Sequence, residues 1–64
     1  MLLIDLLTII NDNTDVIIQD TNKKDIACYD GKNSIPKKHN NINVLEVSTE
    51  NRNKKPVLII QVLL

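Results

Sequence analysis

Cys28 is the only cysteine in the chain and His39 the only histidine, so thiolate chemistry has one nucleophile and one base to draw on. A catalytic thiol needs a basic neighbour that lowers its pKa. The Asp30-Gly31 turn separates these two, and nothing local brings them together. Cys28 reads instead as a small apolar residue buried in a strand. One Cys and one His also fall short of the four ligands of a structural zinc site. The six Asp residues are scattered over turns and strand ends without the spacing of a calcium loop. A single glycine, Gly31, cannot build a glycine-rich phosphate cradle. The expectation is a protein that is not an enzyme and carries no metal or cofactor.

The cations offer the remaining chemistry. Lys23 and Lys24 fall in one polar segment, and Arg52, Lys54 and Lys55 in another. Placed as hairpin tips at the same end of a sheet, these five form a rim suited to a phosphate-bearing ligand or a nucleic-acid backbone. They equally suit solvated tips that keep sheet edges soluble, and Asp20, Asp25 and Glu50 stand beside them. Tyr29 is the only aromatic residue. It reads either as an exposed contact residue or as a strand-end residue that closes the core.

The elements that must position these residues follow from the apolar pattern. Residues 2–10 put polar groups at Asp5, Thr8 and Asp12, a helical spacing with a wide apolar face. A fifth strand is the competing reading for this segment. Residues 14–20 and 25–29 read as a β-hairpin across a polar loop, closed by Asp30-Gly31. Gly31 suits positive φ at no steric cost. Residues 32–43 predict a crossing loop with one short helical turn near Pro36, capped by Ser34. Residues 43–49 alternate as a strand, 50–55 form a polar tip, and Pro56 opens a last strand over 57–64. The fold expected is α+β: a short N-terminal helix packed on a four-stranded antiparallel sheet made of two β-hairpins. Sixty-four residues make one domain, residues 1–64.

The last strand is apolar on both faces, with Leu58, Ile60, Val62 and Leu64 on one and Val57, Ile59 and Leu63 on the other. Such a strand is either central in its sheet or covered on its second face. A short chain without disulfide or metal gains support from self-association, so a homo-oligomer through Val57, Ile59 and Leu63 is expected. Net charge is zero, yet residues 1–30 hold six Asp against two Lys, and residues 31–64 hold six Lys or Arg against two Glu. That asymmetry suits complementary packing between subunits, and the neutral total does not suit a DNA mimic, which would be strongly acidic. The lone thiol, the lack of an Asn-x-Ser/Thr sequon, and an apolar N-terminal segment too short to span a bilayer predict a cytoplasmic protein with no membrane partner.

The segment 29–36, Tyr-Asp-Gly-Lys-Asn-Ser-Ile-Pro, resembles one seen in small phage and mobile-element proteins of low-GC Gram-positive bacteria. Asp5-Leu6-Leu7, Val16-Ile17-Ile18 and the apolar run 57–62 extend the resemblance over most of the chain. Lys37 and Lys38 depart from it, standing where acidic residues would be expected. The resemblance implies a non-enzymatic binding protein in the host-cell cytoplasm that inhibits a bacterial defence component. It does so either as an anti-CRISPR-like protein blocker or by sequestering a nucleotide signal, its partner thus a host defence protein or a phosphate-bearing small ligand. The alternative is a structural or assembly accessory protein that docks on a larger complex through its apolar strand.

Overall fold

Two strongly apolar stretches of the chain, Val16-Ile17-Ile18 and residues 57–63, lie side by side at the centre of a four-stranded sheet in the computed structural model. The structure describes residues 1–63, so the facing assigned to Leu64 lies outside the described residues. The elements are α1 (Leu3–Leu7), β1 (Val16–Gln19), β2 (Asp25–Tyr29), β3 (Asn43–Arg52) and β4 (Lys55–Leu63). Two single-turn 3-10 helices, Lys32–Ser34 and Lys37–His39, lie between β2 and β3. The α+β class expected from the sequence is observed.

The sheet is mixed, with strand order β2-β1-β4-β3, which corrects the fully antiparallel arrangement. Each hairpin is antiparallel, but β1 and β4 pair in parallel, from Val16 opposite Leu58 to Gln19 opposite Gln61. The reason lies in the connection from β2 to β3. These two strands run the same way, and parallel strands need a crossover of about a dozen residues or more, which residues 30–42 supply. The crossover packs over the first face of the sheet, where Ile35 enters the core. Apolar two-faced strands take the centre, where both faces are covered, and the more polar β2 and β3 take the edges.

On the first face, Leu3, Leu6 and Leu7 of α1 pack on Val16, Ile18, Ile60 and Val62. Val16, Ile60 and Val62 are fully buried. The helix is shorter than its apolar periodicity predicts. Thr8 turns its hydroxyl to the carbonyl of Asp5 at 2.7 Å, and β-branched Ile9 and Ile10 follow outside the helix. Lys32 then takes over the end of the segment. Its ammonium donates to the carbonyls of Leu7 at 2.7 Å and Ile10 at 2.9 Å and lies 3.3 Å from Asp12. A cation at a helix C-terminus satisfies orphan carbonyls and complements the helix dipole.

Gly31 makes this docking possible. Its φ of 88° and ψ of 151° lie in a region open essentially to glycine. A Cβ there would stand 2.8 Å from the backbone oxygen of Asp12. The crossover holds two helical turns where one was expected. Ser34 does not cap the second; its hydroxyl donates to the carbonyl of Asp30 at 3.1 Å.

Candidate functional site

The parallel pairing of β1 and β4 decides where the cations go. The turn after β1 follows that strand's C-terminal end, whereas the turn before β4 precedes its N-terminal end, so the two tips lie at opposite ends of the central strands. Along the central strands this sets Lys23 and Lys24 at the end opposite Lys54 and Lys55, where an all-antiparallel sheet would set them at the same end. The first tip is an Asp20-centred turn. Asp20 accepts from the backbone N–H of Asn22 at 2.8 Å and of Lys24 at 3.0 Å, and Lys23 takes positive φ. Gln61 on β4 anchors it through the carbonyl of Thr21 at 3.1 Å.

The second tip is tighter than residues 50–55 suggested. Strand pairing continues to Arg52 opposite Lys55, leaving Asn53 and Lys54 as a two-residue turn. Both have positive φ, 51° and 65°, the type I′ geometry that matches strand twist. The outer half of this hairpin curls over the second face of the sheet. That curl brings Arg52 of β3 to Asp25 of β2, at 2.6 Å, across the two central strands. Arg52 also holds Glu50 at 2.6 Å, and Gln19 donates to Asp25 at 2.9 Å. The Arg52 guanidinium, and then Gln19, hold the Asp25 carboxyl below the usual carboxylate range. Asp25, and then Glu50, push Arg52 further up in turn. Of the five expected cations, Arg52 thus reaches the first hairpin, but as the partner of carboxylates.

Under the curled hairpin, Ile17, Val57 and Ile59 form a second buried apolar cluster. Val57 and Ile59 were expected to meet another subunit; they are covered within the chain. Leu63 remains half exposed. Beside this cluster a groove of about 430 Å³ runs between β2 and the second tip. Ile17 and Val57 line its apolar part, Arg52 and Lys55 supply cations, and Asp15 and Asp30 supply carboxylates. Cys28 and Tyr29 also border it. Of the six residues singled out in the sequence, Arg52 and Lys55 meet there; Tyr29 borders the groove at the end of β2, but its side chain packs toward the first core. Lys23 borders a separate shallow groove with Glu46 and Gln61, and Lys24 and Lys54 are exposed.

Strand alternation settles the thiol. Ala27 and Tyr29 pack toward the first core, so Cys28 between them faces the second side. It is exposed rather than buried as expected. His39 lies with Ala27 and Tyr29 in a small cleft on the first side. The sheet therefore stands between Cys28 and His39. Among the described residues no group of three or more His, Cys, Asp or Glu is placed to hold a metal ion, and no helix is long and apolar enough to cross a membrane.

Asp15 and Asp30 are groove residues that sequence reasoning passed over as turn formers. The available signal was their position at the ends of strands that pair with each other, Val16 opposite Tyr29. No family model, no curated protein and no solved structure matches this chain.

Proposed function

We propose that the protein is a non-enzymatic binding protein of a phage or mobile element. In this reading it inhibits a bacterial defence component by seating a segment of that protein in the groove between β2 and the second tip. The observation that supports this reading is the make-up of the groove: an apolar floor of Ile17 and Val57 flanked by charges of both signs, Lys55 and the carboxylate-bound Arg52 with Asp15 and Asp30. A phosphate group gains from the cations and loses to the carboxylates. A protein segment carrying apolar side chains and charges of both signs gains from all of them, which is how complementary charge confers specificity. A protein blocker is therefore favoured over a nucleotide-sequestering protein.

The test is affinity capture from an extract of a low-GC Gram-positive host, with the wild-type chain and with Lys55→Glu/Asp30→Lys. Both side chains are exposed, so circular dichroism should report an unchanged fold. The wild type is expected to retain a defined protein that the charge-swapped variant releases. Equal capture by both would overturn the assignment of the groove. A discrete small mass on the wild-type protein in native mass spectrometry, lost in the variant, would overturn the protein partner in favour of a small ligand.

A further inference from the structure

The outer half of the β3–β4 hairpin is held to the rest of the sheet in two unlike ways. The first is backbone pairing, which stops early. β1 pairs with β4 from Leu58 onward. Lys55, Pro56 and Val57 lie before that point and pair with Arg52, Asn51 and Glu50, and among the described residues no strand flanks them on their other side. The second is the ion pair of Arg52 with Asp25, at 2.6 Å. It joins the two edge strands, β3 and β2, so it arches over side chains that the two central strands present between them, Ile17 and Ile59. The seating under this arch is thin. Three buried apolar side chains, Ile17, Val57 and Ile59, form the cluster there, against eight in the first core. Two hollows adjoin the trio: the groove of about 430 Å³ lined by Ile17 and Val57, and a shallower one of about 200 Å³ lined by Ile59.

We infer that the outer hairpin, residues 49–57, is a flap latched by Arg52 and Asp25, which lifts off the second face as a unit and bares Ile17 and Ile59 while the first core stays folded. Its hinge is the point at which β1 ceases to pair with β4, next to Leu58. Both halves of the latch keep a partner when it opens. Arg52 retains Glu50, two residues away on the flap itself, at 2.6 Å. Asp25 retains the amide of Gln19, on the base, at 2.9 Å. Neither charge is stranded, and both latch side chains are more than a third exposed, where water replaces a lost partner at small cost. Segments with few buried apolar contacts open below the free energy of global unfolding, and this flap rests on three. Lifting it enlarges the apolar floor of the groove, so the latch regulates access to that floor. Opening is a property of the chain by itself and is read without a partner, whatever the groove binds.

Thiol labelling of two neighbouring positions tests this in a Cys28→Ser background. Val16 and Ile17 are both buried, on opposite faces of β1, so Val16→Cys reports the first core and Ile17→Cys the space under the flap. With iodoacetamide as the probe, Ile17→Cys should react roughly tenfold or more faster than Val16→Cys, through opening short of global unfolding. Its rate should also rise less steeply with urea, because that slope scales with the surface exposed in the opening step. Adding Arg52→Gln should speed the labelling of Ile17→Cys by roughly two- to fivefold, the range for loss of an exposed ion pair. Circular dichroism checks that each variant folds. Methyl relaxation dispersion on the unaltered chain gives a second reading: Val57 and Ile59 should show exchange on the μs–ms scale, and Ile60 and Val62 none. Equal rates and equal urea slopes at the two cysteines would overturn the proposal, as would an Ile17→Cys rate indifferent to Arg52→Gln, or methyls of Val57 and Ile59 as quiet as those of Ile60 and Val62.

Discussion

Replacing Gly31 by alanine isolates one consequence of the fold. At a site where alanine fits, removing glycine stabilises a protein by about 0.4–1 kcal/mol, because the unfolded chain loses freedom. Here the sign should reverse. The φ of 88° with ψ of 151° places an L-residue in a glycine-only region, a cost of about 1–3 kcal/mol. The new Cβ would also stand 2.8 Å from the Asp12 carbonyl. That carbonyl is backbone, so the loop at Asp12 must move, and with it the ammonium of Lys32 that closes the helix end. A net loss of about 2 kcal/mol is expected, against a total stability of roughly 3–10 kcal/mol for a chain of this length. The transition midpoint in thermal unfolding followed by circular dichroism should fall by roughly 8–16 °C. A midpoint that stays or rises would refute both the assigned backbone conformation and the role of the Gly31-Asp12 approach.

Three further outcomes follow from particular contacts. Lys32→Met keeps the length of the side chain but leaves the Leu7 and Ile10 carbonyls without their donor; urea unfolding should show a loss of about 1–3 kcal/mol, whereas Lys37→Met on the exposed second turn should lie within about 0.5 kcal/mol of wild type. Ile60→Val removes one methylene from a fully buried position and should cost about 0.5–1.5 kcal/mol, while Ile26→Val at the exposed edge should cost a few tenths at most. Because the folded pKa of Asp25 is lowered by Arg52 and Gln19, its ion pair stabilises above the unfolded carboxylate value of about 3.9 and is lost as pH falls through the lower folded value. Amide exchange at the second tip should accordingly accelerate in strong acid in the wild type and be insensitive to that step in Asp25→Asn.

What the sequence disclosed was local in origin. The strand at 16–19, its hairpin partner, the two-faced character of β4 and the special place of Gly31 all follow from residue types within a few positions of one another. The parallel pairing of β1 with β4 does not, since it joins residue 16 to residue 58 and no neighbouring side chain records the direction. The length of the crossover at 30–42 was the one readable sign, because an antiparallel connection between adjacent strands needs only a short turn. The candidate site suffered from the same loss. Arg52 and Lys55 line one groove because a long hairpin curls, whereas the strand direction that sets Lys23 and Lys24 at the other end of the central strands is something charge patterning cannot express. Periodicity alone predicts helix through residues 8–10; the helix ends at Leu7, and the Leu7 and Ile10 carbonyls are bonded instead by Lys32, a contact made across 25 and 22 positions in sequence.

The arrangement also explains which groups are left exposed at the edges. A two-stranded hairpin is marginal by itself in water, so neither β1 with β2 nor β3 with β4 stands without the parallel central pair. That pair uses the most apolar residues of the chain, and the curl of the second hairpin completes the covering of Ile17, Val57 and Ile59 on the face that α1 does not reach. With the apolar side chains of the centre committed to stability, the groups left exposed lie at the margins: the mixed charges at the mouth of the groove, and apolar side chains such as Ile26, Leu45 and Leu63. Arg52 belongs both to the groove and to the ion pair that holds the curl in place. Substituting it should therefore disturb groove and hairpin together, and the two are separable at Lys55 and Asp25.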